Sequence, residues 1–196
     1  MRKLTLSLIC LFTIAFSQDD MNDDMGIKVY VGASSMTASI DSPEWQTYDA
    51  GRKIGFNIGL MKPLNDKVTV GGGYTKRGWT DRSFYEDLGN VDEEWEVSAV
   101  ELWATYNLFN LANGINFWVG PSFAILNNID AEFTFLDSGG VSVSDDADID
   151  DNELSLMLGV SFPSSGSNYI NIGYQRSLRK VDDAIIFNQF FIDYSF

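Results

Sequence analysis

From residue 26 onward, apolar and polar positions alternate with a period of two, and no window shows a helical period of comparable strength. A strand sends successive side chains to opposite faces, so each such stretch predicts a strand with one oily face and one polar face. Eight segments qualify: 26–33, 53–60, 68–77, 98–108, 115–125, 154–162, 169–176 and 186–196. In 53–60, Ile54, Phe56, Ile58 and Leu60 oppose Gly55, Asn57 and Gly59. In 154–162, Leu154, Leu156, Leu158, Val160 and Phe162 oppose Ser155, Met157, Gly159 and Ser161. The closing segment sets Phe190, Ile192, Tyr194 and Phe196 against Gln189, Asp193 and Ser195.

The connections alternate in length. Those at 61–66, 109–114 and 163–168 are short and carry Pro, Gly, Asn or Ser turn chemistry. Those at 34–52, 78–97 and 126–153 are long and polar, and 177–185 is intermediate. This pattern predicts an all-β fold, an eight-stranded antiparallel up-and-down barrel. A soluble barrel turns its apolar face inward, and a transmembrane barrel turns it outward. Three features favour the second. The non-apolar faces carry Gly, Ser, Asn and Thr instead of the Lys and Glu of a solvated surface. Segments of about nine to eleven residues match a tilted membrane strand. Short turns at one end and long loops at the other match periplasmic and extracellular ends. Aromatics at the short-turn end (Tyr106, Phe117, Phe162, Tyr169, Tyr194 and Phe196) read as an interfacial girdle, although Tyr169 has inward parity. A soluble secreted β-barrel is the rival reading.

The N-terminus places the chain in a compartment. Arg2 and Lys3 precede an apolar run from Leu4 to Phe16, and Ala15-Phe16-Ser17 has the small-x-small form of a cleavage site. Residues 1–17 therefore read as a secretory signal, 18–25 as an acidic periplasmic segment and 26–196 as the barrel. The sole cysteine, Cys10, falls inside the signal, so the mature chain has no thiol for a disulfide or a metal site.

The chain also resembles the PorT-like, or OmpA-like, small outer-membrane barrel family of Bacteroidota-type bacteria. The resemblance rests on the export signal, the eight strands and the stretch 100–123, in which Val100-Glu101-Leu102, Tyr106 and Gly120-Pro121 fit the family pattern. Trp103 stands where that pattern has proline, and no lysine precedes Tyr106. The resemblance implies that Phe190, Ile192, Tyr194 and Phe196 form the C-terminal signal presented to the barrel-assembly machinery. It also suggests a role as a subunit of a secretion or envelope machine.

Charge and composition narrow the chemistry. A net charge of −15 with no basic stripe excludes nucleic acid as an expected partner. The chain has no histidine, so no Ser/His or Cys/His mechanism can be assembled, and no carboxylate pair stands out for glycosidase-type catalysis. The expectation is a non-enzymatic protein without cofactor. Lys28, Arg77, Glu101 and Asp193 all take the polar face, where an unpaired charge is costly, and are read as an interior ion-pair network. A single water-bridged Glu101 is the simpler alternative. Asp146, Asp148 and Asp150 have calcium-loop spacing without the required Gly and closing Glu, which leaves a weak cation site or a solvated loop. Residues 81–96 mix aromatics and acids and read as a loop that packs on itself or meets a surface partner. The expected surroundings are outer-membrane lipid and lipopolysaccharide. The expected role is structural or surface interaction, with a narrow channel for small or apolar molecules as the alternative.

Overall fold

A computed structural model describes residues 26–40, 51–85, 87–137, 139–147, 152–181 and 185–196. Nine strands run through these residues: β1 (Lys28–Ile40), β2 (Gly51–Pro63), β3 (Val68–Tyr85), β4 (Gly89–Asn110), β5 (Asn116–Phe135), β6 (Val141–Ala147), β7 (Asn152–Pro163), β8 (Tyr169–Ser177) and β9 (Ile185–Ser195). All pairings are antiparallel. Eight of the strands close a ring in the order β1-β2-β3-β4-β5-β7-β8-β9 and back to β1. The seam runs from Tyr30 opposite Ser195 to Ile40 opposite Ile185. It is finished by reciprocal backbone bonds of 2.9 Å between Val29 and Phe196. Phe196 thus completes the β1–β9 ladder, and closure leaves no sheet edge in the ring of eight strands.

The alternation read from the sequence has the transmembrane sense. Val31, Phe56, Ile58, Leu60, Val100, Leu156, Leu158, Ile172, Phe190 and Ile192 are exposed on the outside. Their neighbours Asn57, Glu101, Ser155, Gln175, Gln189 and Asp193 are buried inside. This is an eight-stranded barrel with a greasy belt and a polar interior. Aromatics border the belt at the short-turn end: Tyr106 and Phe162 are exposed, Phe109 stacks on Phe117 with centroids 4.5 Å apart, and Tyr194 stacks on Phe196 at 5.9 Å. Tyr169 faces the lumen instead, as its parity implied.

Two expectations need correction. Residues 78–97 are not a loop. They form the upper halves of β3 and β4, paired from Gly78 opposite Glu96 to Tyr85 opposite Gly89. The stretch 126–153 is not one connection either, because β5 runs on to Phe135 and returns as β6. Gly139 and Gly140, at φ 80° and 78°, make that turn in a backbone region that residues with a Cβ avoid. The second edge of β5 belongs to β7 up to Ile125 and to β6 from Ile129. Between them the β4–β5 register shifts by one residue, opposite Ser98 and Ala99. A bulge bends a sheet and increases its twist. Here it stands where β3, β4, β5 and β6 leave the barrel as a four-stranded fin. Strand lengths therefore reach 22 residues in β4 instead of nine to eleven.

Candidate functional site

The fin rises above a charged collar. Lys53 reaches Glu94 and Glu96, Lys76 lies 2.5 Å from Glu96, and Arg82 grips Asp92 through Nε at 2.5 Å and Nη2 at 3.1 Å. All are partly exposed, so each pair adds little stability. They do set ionisation. The hydrogen bond from Arg82 holds the Asp92 carboxyl below its ordinary value, and the bonds from Lys53 and Lys76 do the same for Glu96. A carboxylate held low contributes stability above its unfolded pKa and loses that contribution as the pH falls through its folded value. Side-chain NMR titration is expected to place Asp92 below 3.8. Arg82→Ala should return it toward the ordinary aspartate range, and an unshifted Asp92 in the parent would contradict the pairing.

Inside the barrel the side chains are stacked in layers. At the short-turn mouth, Lys28 donates to the Ser167 carbonyl and sits 5.1 Å from the centre of the Tyr169 ring. Above it is an aromatic layer, in which the Tyr30 and Trp103 centroids are 5.9 Å apart and those of Trp118 and Phe191 are 6.1 Å apart. The sequence makes room for these rings with glycines directly across the ladder. Gly71 faces Trp103 and Gly159 faces Trp118, and a Cβ on either would strike the indole. The rings therefore lie against the wall, and the lumen beside them stays open.

The next layer is acidic. Glu101 accepts hydrogen bonds from Ser122 and from Gln175 at 2.7 Å, and Asp193 accepts one from Asn57 at 2.6 Å. Gln175 lies opposite Gln189 across β8 and β9. Gln189 in turn takes a 2.7 Å bond from Arg77. Arg77 forms a fully buried ion pair with Glu153, which also accepts from Ser155 at 2.5 Å and Ser177 at 2.8 Å. The four residues expected to make one network are thus all inside the lumen. Lys28 is at the mouth, Glu101 and Asp193 are bound to neutral partners, and Arg77 is paired with Glu153. Glu153 was missed because it lies in the acidic run 144–153, which read as loop.

Apolar side chains close the far end. Met36, Ala38, Trp79, Trp95, Val97, Ala99, Ala124, Leu126, Ala131, Val181, Ile185 and Phe187 form one buried cluster. Trp79 and Trp95 stack in parallel at 5.4 Å, Phe187 tilts against Trp79 at 5.6 Å, and Phe133 meets Trp95 edge-on at 5.7 Å. An apolar plug was not foreseen in a lumen expected to hold a polar network.

Below the plug and the Arg77–Glu153 layer, a cavity of about 640 Å³ opens to the short-turn end. Its lining runs from Asn65, Asn110 and Ser167 at the mouth to Gln175 and Gln189 at the closed end, and includes no residue of the plug.

This architecture has known counterparts. Neisserial surface protein A superposes with a TM-score of 0.56 at 13% identity, covering 86% of this chain and 95% of that one. Ail, the attachment invasion locus protein of Yersinia pestis, superposes with a TM-score of 0.50 at 16% identity, covering 87% and 97%. The fold is that of the small outer-membrane barrels. No family profile and no curated protein sequence matches the chain, so the likeness is one of fold.

Among the described residues no group of three His, Cys, Asp or Glu side chains could hold a metal ion. Asp148 and Asp150 lie outside the described residues, and Asp146 is described only as a backbone position in β6. The signal and the acidic segment at 1–25 also lie outside them. The outward row Phe190, Ile192 and Phe196 is exposed on β9 and at its end, with Tyr194 half-buried between.

Proposed function

We propose that this chain is a non-enzymatic barrel of the bacterial outer membrane, whose fin acts as a recognition surface outside the cell. The single observation that carries this reading is the combination of a plugged lumen with a long sheet extension that ends in a free edge. Among the described residues β6 pairs with β5 alone. A strand edge offers unpaired backbone groups to an extended segment of another chain. The row from buried Val91 through Phe135 brings apolar Val141 to that edge, and Val141 and Val143 are both exposed there.

Export by the N-terminal signal, insertion by the barrel-assembly machinery through the closing aromatic row, and contact with lipopolysaccharide complete the proposal. It is supported by the apolar belt, by the collar of charge at one end of it, and by the fold shared with a surface protein and an attachment invasion protein. The PorT-like resemblance adds a second reading, a subunit of a secretion or envelope machine. It rests on the sequence motifs at 100–123.

Membrane fractionation of cells expressing the full chain should recover it in the outer membrane, with heat-dependent gel mobility. In planar bilayers the refolded protein should give no discrete conductance steps, and steps in the unaltered protein would favour the channel reading. Surface cross-linking should capture a partner that is lost in Val141→Lys/Val143→Lys, which charges the free edge without touching the barrel. Capture that persists unchanged would remove the fin from the proposal.

A further inference from the structure

The cavity below the plug is built for a guest that enters from the short-turn side. Its closed end carries two carboxylates, Glu101 and Asp193, each more than nine-tenths buried. No described ion pair involves either one, and the guanidinium nearest to that level, Arg77, is taken up by Glu153. Asn57 is 8% exposed and lines the same space. Its amide nitrogen is committed to Asp193, and its oxygen Oδ1 has no partner. An unpaired acceptor and two carboxylates without an ion-pair partner among the described residues each carry a desolvation cost in a narrow lumen. All three want hydrogen-bond donors, and two of them want positive charge.

The walls just below are aromatic, with Tyr30 tilted against Trp103 and Phe191 stacked on Trp118. Aromatic faces attract cations and accommodate apolar stems. We propose that this cavity binds a small primary alkylammonium: its three N–H donors are directed at Glu101, Asp193 and the free oxygen of Asn57, and its apolar stem lies along the aromatic walls. An anion would meet two like charges at the closed end. A neutral alcohol would leave both carboxylates without an ion-pair partner. Lys28 at the mouth is occupied by the Ser167 carbonyl and the Tyr169 ring, and so leaves the cavity end to the guest. The plug makes the site a blind one, loaded and emptied on the same side of the membrane.

Calorimetry on the refolded chain in detergent micelles tests this with three probes of similar shape: 2-phenylethylammonium, 2-phenylethanol and phenylacetate. Empty micelles provide the baseline. The ammonium should bind saturably and at least about tenfold more tightly than the alcohol, with no binding of the carboxylate. The isosteric double variant E101Q/D193N should weaken ammonium binding about tenfold or more while keeping the heat-dependent gel shift. Should that variant fail to fold, the three-probe comparison on the unaltered protein still decides. Equal binding of the alcohol or the carboxylate, or no saturable heat from the ammonium at millimolar concentration, would overturn the proposal.

Discussion

Arg77→Met is expected to destabilise the folded barrel by about 3–5 kcal/mol, because it strands Glu153 as a buried unpaired charge. Both side chains are essentially inaccessible, at 0% and 1% exposure, so water cannot take over the lost partner. Ser155 and Ser177 would still donate to Glu153, but two hydroxyls do not replace a guanidinium. The companion change Glu153→Gln should recover most of the loss when added to Arg77→Met, since it removes the charge and keeps the shape. Reversible urea unfolding in lipid vesicles, followed by tryptophan fluorescence, measures both variants. A loss under about 1 kcal/mol for the single variant would mean that the pair behaves as an exposed one, and the buried geometry would be wrong.

Trp79→Ala/Phe187→Ala should both weaken the protein and open it. Each ring is 1% exposed and packed in the apolar cluster, and truncating a buried aromatic typically costs about 3–5 kcal/mol. Trp79 links Trp95 on one side to Phe187 on the other, so removing it with Phe187 takes out the centre of the plug. Discrete conductance steps should then appear in planar bilayers where the parent shows none. Trp79→Phe should be far milder. It keeps an aromatic ring and deletes an indole nitrogen that is buried without a partner. A double variant that stays folded and still does not conduct would assign the seal to the Arg77–Glu153 layer.

The barrel was legible in the sequence because its two faces meet different solvents. Leu154, Leu156 and Leu158 against Ser155 and Gly159 could not be read as a helix, and the direction followed from the small polar residues opposite them. The fin was not legible, because above the belt both faces of the sheet can carry charge. Asp81 and Glu93 point to the inner side and are buried there. A hydropathy pattern therefore records Trp79, Asp81, Ser83 on one strand and Val91, Glu93, Trp95 on the next as interruptions. In fact Glu93 is satisfied by the Trp95 indole at 3.0 Å. Parity alone would have found it: Val91, Trp95, Val97 and Ala99 keep the same phase as Glu101. The polar lumen residues were found by that rule, but their partners were not. Pairing depends on which strands face each other across the barrel, and Gln189 and Glu153 lie 112 and 76 residues from Arg77.

The seam between β1 and β9 bears on how the molecule is made. The second side of β1 is paired by β9 (Ile185–Ser195), the ladder of greatest sequence separation in the barrel. Contacts that distant are slow to find and entropically costly to close. Until they form, β1 is an open edge beside a row of exposed leucines, isoleucines and phenylalanines, the situation in which chains cross-pair and aggregate. Productive folding therefore demands that the unclosed polypeptide be kept apart from its own kind during transit, and that β1 and β9 be brought together at the bilayer.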